Sequence, residues 1–249
     1  MIIEKKEQLE ALREGGKINK KILHDALKKV VPGVSTYSIN EFVVKEMNKA
    51  NVKPSFLGYD AGDGPYPYST CISINYHLVH TLPSKKSIIK DGDLVTIDMG
   101  VLHKGFHTDT AFTIEVGSNN NYKHFLASGK KSLKNALKKA KAGNYTGDLS
   151  YEMQKAVEGG GYNVSVDLVG HGIGRKLHEP PQVLCYGKKG TGDLLVKNMA
   201  LAVEVMYMVG SPKLTIGSDG FSLDTYDGSI SAQFEHTLVV GEKCPEILV

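Results

Sequence analysis

The sequence predicts a mixed α/β chain built from two similar halves, and three observations point to it. Apolar residues recur first at helical spacing and then in β-branched, strand-like runs, and the same order of helix then β-rich chain returns after residue 120. A weak internal repeat accompanies that order. Pro32-Gly33-Val34-Ser35-Thr36 followed by Ile39 reappears 110 positions on, from Gly33 to Gly143, as Ala142-Gly143-Asn144-Tyr145-Thr146 followed by Leu149. The third observation is size: 249 residues, 41% apolar and 23% charged, suffice for a core that needs no disulfide support. The expectation is one domain over 1–249, with pseudo-repeat halves at about 1–120 and 121–249.

Taken in order, Ile18, Ile22, Leu23, Ala26, Leu27 and Val30 recur every three or four residues with lysines between them, which predicts an amphipathic helix ended by Pro32-Gly33. A second helix is expected over about 38–49. In each copy of the repeat, Gly is expected to close one helix and Thr36 or Thr146 to cap the next. Residues 59–68 are rich in Gly, Pro, Asp and Tyr and read as a long surface loop. Strands are expected at 71–74, 94–97 and, after a Lys104-Gly105 turn, 109–116. Tyr122, Leu126, Leu133, Leu137 and Ala140 then mark one face of a further helix.

Composition excludes several classes. Thirty Lys+Arg against 27 Asp+Glu give +3, too near balance to indicate nucleic acid or an acidic membrane surface. Neither partner is expected. No run of about 18 apolar residues is available to span a bilayer, and the N-terminal residues lack the apolar segment of a signal peptide. Cys71, Cys185 and Cys244 are odd in number and widely spaced, which fits neither a disulfide framework nor a zinc knuckle and fits a reducing cytoplasm.

The chemistry-bearing residues are mostly acids on apolar strands. Asp98 ends one β-rich run and Asp109 opens the next, and a hairpin turning about positions 103 and 104 would set the two carboxylates directly opposite each other. Like charges there are destabilising, so a shared proton or bound cations must compensate. A register one residue different would instead send one of them to solvent. His171 lies in Gly170-His171-Gly172-Ile173-Gly174, where glycines admit backbone or ligand close to an imidazole, and His178-Glu179 follows. Glu204 is embedded in Ala200-Leu201-Ala202-Val203-Glu204-Val205-Met206, where an unpaired charge is expensive, and Glu235 precedes another strand-like run. Four carboxylates and one imidazole form an oxygen-rich set with charge enough for two divalent ions, leaning toward Mn, Fe or Co with Zn also admissible. Two such ions activate a water and polarise a carbonyl together.

Six strings carry a resemblance: Cys71-Ile72-Ser73-Ile74-Asn75, Asp91-Gly92-Asp93 through Asp98, Gly105-Phe106-His107-Thr108-Asp109-Thr110, Gly170-His171-Gly172-Ile173-Gly174-Arg175, His178-Glu179-Pro180-Pro181-Gln182-Val183-Leu184 and Ser231-Ala232-Gln233-Phe234-Glu235-His236-Thr237. In this order, over nearly the whole chain, they resemble type I methionine aminopeptidase. The resemblance implies the pita-bread α/β (α+β) fold, two pseudo-symmetric halves each with helices on an antiparallel sheet. It implies a dinuclear site of Asp98, Asp109, His171, Glu204 and Glu235, with Asp109 and Glu235 bridging, Asp98 completing one ion and His171 with Glu204 the other. It gives Glu204 a proton-carrying role between the bridging water and the leaving amine. His178 would contact the scissile amide and developing oxyanion, and His80 the substrate backbone. The substrate pocket would be Tyr59, Cys71, His80, Leu177, His178 and Phe221. Only 32 residues separate His171 from Glu204, which leaves no room for the helical insertion of the type II members.

The chain departs from the family pattern at Thr81 after His80, at Val205 after Glu204, at Leu177 and Phe221 in the pocket, and in a long loop at 60–65; it has no Trp. None of these positions is a metal ligand. The expected activity is removal of the initiator methionine from nascent polypeptides by a cytoplasmic monomer, with the ribosome as a further expected contact. The alternatives are a pita-bread peptidase of different specificity, for example for Xaa-Pro, and an inactive peptide- or ribosome-binding relative. A Cys/His hydrolase using Cys71 has no supporting context.

Overall fold

The structure, a computed structural model, describes residues 1–62, 64–117 and 120–249. Asp63, in the long loop, lies outside the described residues, as do Ser118 and Asn119 near the expected boundary between halves.

The chain begins with helix α1 (Lys6–Leu27) and helix α2 (Thr36–Lys49). Helix α1 starts three turns earlier than the apolar spacing predicts and stops before Pro32-Gly33. Gly15-Gly16 hides its first half from a periodicity count, yet both glycines are buried contact points. A Cβ on Gly16 would lie 2.5 Å from the Leu248 carbonyl oxygen, and one on Gly15 would lie 3.2 Å from the His103 Cβ. Strands β1 (Lys53–Pro54), β2 (Thr70–Ile74), β3 (His77–Val79), β4 (Leu94–His103) and β5 (Phe106–Glu115) follow. Strand β4 pairs with β5 along one edge and with β2 and β1 along the other. Apolar faces of α1 and α2, including Ile22, Ala26, Ile39, Val43 and Met47, pack on Ile97, Met99 and Val101 of this sheet.

The second half repeats the plan. Helices α3 (Lys123–Leu137) and α4 (Thr146–Glu158) precede β6 (Asn163–Val164), β7 (Val169–Gly172), β8 (Glu179–Leu184), β9 (Ala200–Met208), β10 (Leu214–Ile216), β11 (Leu223–Thr225), β12 (Ser231–Val239) and β13 (Glu246–Ile247). Six of these make an antiparallel sheet in the order β13-β12-β9-β7-β8, with β6 also on β9, while β10, β11 and β3 form a small separate sheet. Leu126, Leu133, Leu149 and Met153 of the helices meet Val203, Val205, Tyr207 and Phe234 of the sheet.

The repeat is visible in matching backbone bonds. Gly33 and Gly143 have φ of 89° and 88°. The Gly33 N–H donates to Ile89 O and Ile89 N–H returns to Val34 O, and Gly143, Leu195 and Asn144 do the same. Thr36 and Thr146 are the first helical residues rather than the caps; those places are taken by Ser35 and Tyr145. Each threonine instead ties its helix to a later loop, Thr36 Oγ1 accepting from the Ser84 N–H and Thr146 Oγ1 from the Asp193 N–H.

The halves meet where β5 lies beside β12. Threonine hydroxyls bridge the two strands: Thr237 Oγ1 accepts from Asp109 N–H (2.8 Å) and donates to Asp109 O (2.7 Å), Thr110 donates to Glu235 O, and Thr113 donates to Gln233 O. This seam carries the acids of the two halves to one place.

Candidate active site

The β4–β5 hairpin turns at Lys104-Gly105, whose φ values of 50° and 82° suit the tight two-residue turn that matches strand twist. Its centre is one position beyond the one that would oppose the two aspartates. Asp98 therefore faces Ala111 and Asp109 faces Gly100. A displacement of two in register keeps side chains on the same face, so Asp98 and Asp109 are diagonal neighbours on one buried surface rather than direct partners, and neither points to solvent. The directly opposed pair is in the other half: Glu204 of β9 faces Glu235 of β12.

Across the seam these four acids and His171 line one cavity of about 740 Å³. Asp109, His171 and Glu235 each bring a ligand atom within 4.8 Å of the others. All five side chains are buried. Burial raises the four carboxyl pKa values, and repulsion from neighbouring acids adds to this for Asp98, Glu204 and Glu235. Burial lowers that of the His171 imidazole. Among the described residues, no lysine or arginine lines the cavity, and Asp98 Oδ1 is buried without a hydrogen-bond partner. A divalent cation satisfies every one of these conditions: it neutralises the acids, fills the acceptor, and takes oxygen and imidazole donors. The donor set fits a metal.

The His171 Nδ1 lies 2.9 Å from the Gly172 carbonyl oxygen, which can only accept, so the hydrogen is on Nδ1 and Nε2 keeps its lone pair. The other expected site residues line the same cavity: Tyr59, Cys71, His80, Leu177, His178 and Phe221. His80 follows β3 with a φ of 58°. His178 is open to the cavity but walled by protein, which with His171, His80 and His107 nearby holds its pKa below the ordinary imidazole range. Cys71 is fully enclosed and burial raises its thiol pKa far above the usual range, which suits a pocket wall and not a nucleophile.

Sequence reasoning missed two wall residues, Tyr66 and Gln233. Phe56 and Tyr66 join Cys71 and Leu177 in one buried apolar cluster, against which Tyr59 and Phe221 pack, and Tyr66 meets Phe221 edge-on at 5.7 Å. Gln233 donates to Glu204 Oε2 at 2.9 Å and approaches Asp98 Oδ2 at 3.5 Å. Period-two alternation from Glu235 puts Gln233 on the same face, and that signal was available in the sequence.

Known proteins resemble the chain over its whole length. It is 37% identical to the methionine aminopeptidase of Aquifex aeolicus over 97% of this chain and 95% of the other. A solved methionine aminopeptidase of Thermotoga maritima superposes with a TM-score of 0.95 at 39% identity, covering 100% of this chain and 99% of that one. The prolidase of Pyrococcus furiosus, 23% identical with a TM-score of 0.79, shares the fold over 65% of its own length. The shared architecture is the pita-bread α+β fold. The model of metallopeptidase family M24 matches residues 10–242, a span that takes in all four acids and the imidazole, and the chain belongs to metallopeptidase family M24.

Proposed function

We propose that this chain is a metallo-aminopeptidase that removes the initiator methionine from nascent polypeptides, acting as a single catalytic domain over residues 1–249 with halves at about 1–120 and 121–249. The observation that carries the reading is the meeting of five buried metal-type donors with an apolar slot in one cavity. Relatives named methionine aminopeptidase, matched at 37% and 39% identity over almost their full length, support it and disfavour the Xaa-Pro alternative, whose representative is matched only as a fold.

Asp98, Asp109, His171, Glu204 and Glu235 would hold two divalent ions, with Mn, Fe, Co or Zn as candidates. Bound there, the metal supplies Lewis acidity and lowers the pKa of a nucleophilic water. The chain's own residues do the rest. Phe56, Tyr59, Tyr66, Cys71, Leu177 and Phe221 take an unbranched thioether by apolar and sulfur–aromatic contact. His178 and His80, at the open side, hold the scissile amide and the substrate backbone. A Glu204 carboxyl oxygen would take a proton from the attacking water and pass it to the leaving amine.

Monomeric action in the cytoplasm is proposed with this function. Among the described residues no helix is long and apolar enough to cross a membrane. Contact with the ribosome is proposed alongside this function. The test is metal analysis coupled to hydrolysis of Met-Ala-Ser: release of methionine that tracks bound metal supports the function, and a metal-loaded protein that cleaves no peptide overturns it.

A further inference from the structure

Two imidazoles face each other in the cavity, His171 and His178, with ring centroids 4.3 Å apart and planes at 80°. We propose that Tyr59 sorts them: by giving its hydroxyl hydrogen to Nδ1 of His178 it holds that ring in the Nε2–H tautomer, so that His178 is a hydrogen-bond donor to substrate and is barred from binding metal.

A neutral imidazole carries one hydrogen on two nitrogens, and the partner of one nitrogen decides what the other does. The Gly172 carbonyl takes the Nδ1 hydrogen of His171 and leaves Nε2 with a lone pair. Tyr59 Oη lies 2.6 Å from Nδ1 of His178, and the two rings meet edge-on with centroids 4.8 Å apart. A hydroxyl either donates or accepts, and basicity separates the cases. The bare nitrogen of a neutral imidazole is a far stronger acceptor than a phenol oxygen, and a phenol O–H is more acidic than a neutral imidazole N–H, so the phenol is the donor. Burial raises the Tyr59 pKa, which keeps the hydrogen available. The ligand geometry agrees: His171 joins Asp109 and Glu235 in the compact donor group and His178 does not.

The long loop gains a purpose from this. Tyr59 is fixed by its own N–H to Phe56 O and by its carbonyl, which accepts from Tyr66 N–H. Asp60 Oδ1 accepts from the Gly62 and Gly64 N–H groups and folds the loop back on itself. Tyr59 is thus a positioning residue as well as a pocket wall. The inference rests on the peptidase reading for the substrate contact of His178, but the tautomer is a property of the protein alone.

The test is Tyr59→Phe, which removes only the hydroxyl. In zinc-loaded, 15N-labelled protein, with the His178 ring signals assigned by their loss in His178→Gln, the wild type is expected to show a hydrogen-bearing Nε2 and a bare Nδ1. Tyr59→Phe is expected to show a mixture of tautomers, with zinc content and melting temperature unchanged. On Met-Ala-Ser its kcat should fall about tenfold, the worth of one ordinary hydrogen bond, with KM little altered. A wild-type His178 bearing its hydrogen on Nδ1, an unchanged spectrum in Tyr59→Phe, or a loss of zinc in that variant would each overturn the proposal. If no peptide is cleaved at all, the functional reading fails while the nitrogen spectrum still decides the tautomer.

Discussion

Glu204 and Glu235 are direct cross-strand partners, two carboxylates opposed on a buried sheet face with Asp98 and Asp109 beside them. Strands place such partners about 4.5–5.5 Å apart between Cβ atoms, where like charges oppose folding. The metal-free protein should therefore gain from losing one charge. Glu235→Gln is expected to melt about 2–4 °C above the metal-free wild type, the shift of roughly 1 kcal/mol in a chain of this size. Asp98→Asn, relieving a diagonal contact, should gain less. Both should lose the stabilisation that added Mn gives the wild type, and thermal melts with and without metal check the pair of effects.

Chelation should abolish peptide hydrolysis, and Mn, Fe or Co should restore it. Cys71→Ser should retain turnover, because the enclosed thiol only walls the pocket. Loss of turnover in Cys71→Ser with metal still bound would return the thiol to the chemistry.

Thr237→Val tests the seam. The substitution keeps shape and removes the hydroxyl that satisfies both the N–H and the C=O of Asp109. Leaving buried backbone groups unpaired costs about 1–3 kcal/mol, and the position of Asp109 should suffer with it. Urea unfolding should show the loss of stability, and calorimetric titration with Mn should show weaker binding.

The fold was legible at the level of order and class, and the candidate site at the level of which residues meet in one cavity, because both depend on residue type. The two-half plan followed from Gly33, Gly143 and the helix-then-strand order, and the four acids stood out because charge inside an apolar strand is costly, with the imidazole marked by its glycines. What escaped depended on geometry a few residues wide. One step in the centre of the Lys104-Gly105 turn changed direct opposition of Asp98 and Asp109 into a diagonal, though the face survived because the shift was even. Gly15-Gly16 carry no side chain for a periodicity count to register, and both are contacts. Thr36 and Thr146 read as caps, yet they bond loops nearly fifty residues away, and no local pattern reports that. The Tyr59–His178 bond spans 119 positions and is invisible before folding.

Acid should weaken the attachment of α1 to β13. The Arg13 fork holds both Glu246 oxygens, at 2.6 and 2.8 Å, and the hydrogen bond keeps the Glu246 pKa below its ordinary value. A lowered carboxyl pKa stabilises the fold above the unfolded pKa, and that contribution disappears as pH falls through the folded one. Glu246→Gln should melt slightly below the wild type at neutral pH, and the gap between the melting curves should close as pH falls through the lowered Glu246 pKa. A gap that persists in acid would contradict the ion pair.

Leu177→Phe should sharpen the preference for methionine by filling the apolar slot around Cys71 and Phe221. A methylene in such a slot is worth about 1–3 kcal/mol, so the wild type should discriminate Met from Leu by roughly 10–200-fold, and the variant by more. The ratio of kcat/KM values for peptides beginning with Met and Leu, compared between the two proteins, checks the filling.

The most direct measurement is kcat/KM of the Mn-loaded protein on Met-Ala-Ser, Leu-Ala-Ser and Ala-Ala-Ser, with metal content determined on the same sample. The expected result is methionine first by at least tenfold over leucine, with the rate falling in step with metal on chelation. A clear preference for leucine or alanine, or a rate that survives complete removal of metal, would contradict the account.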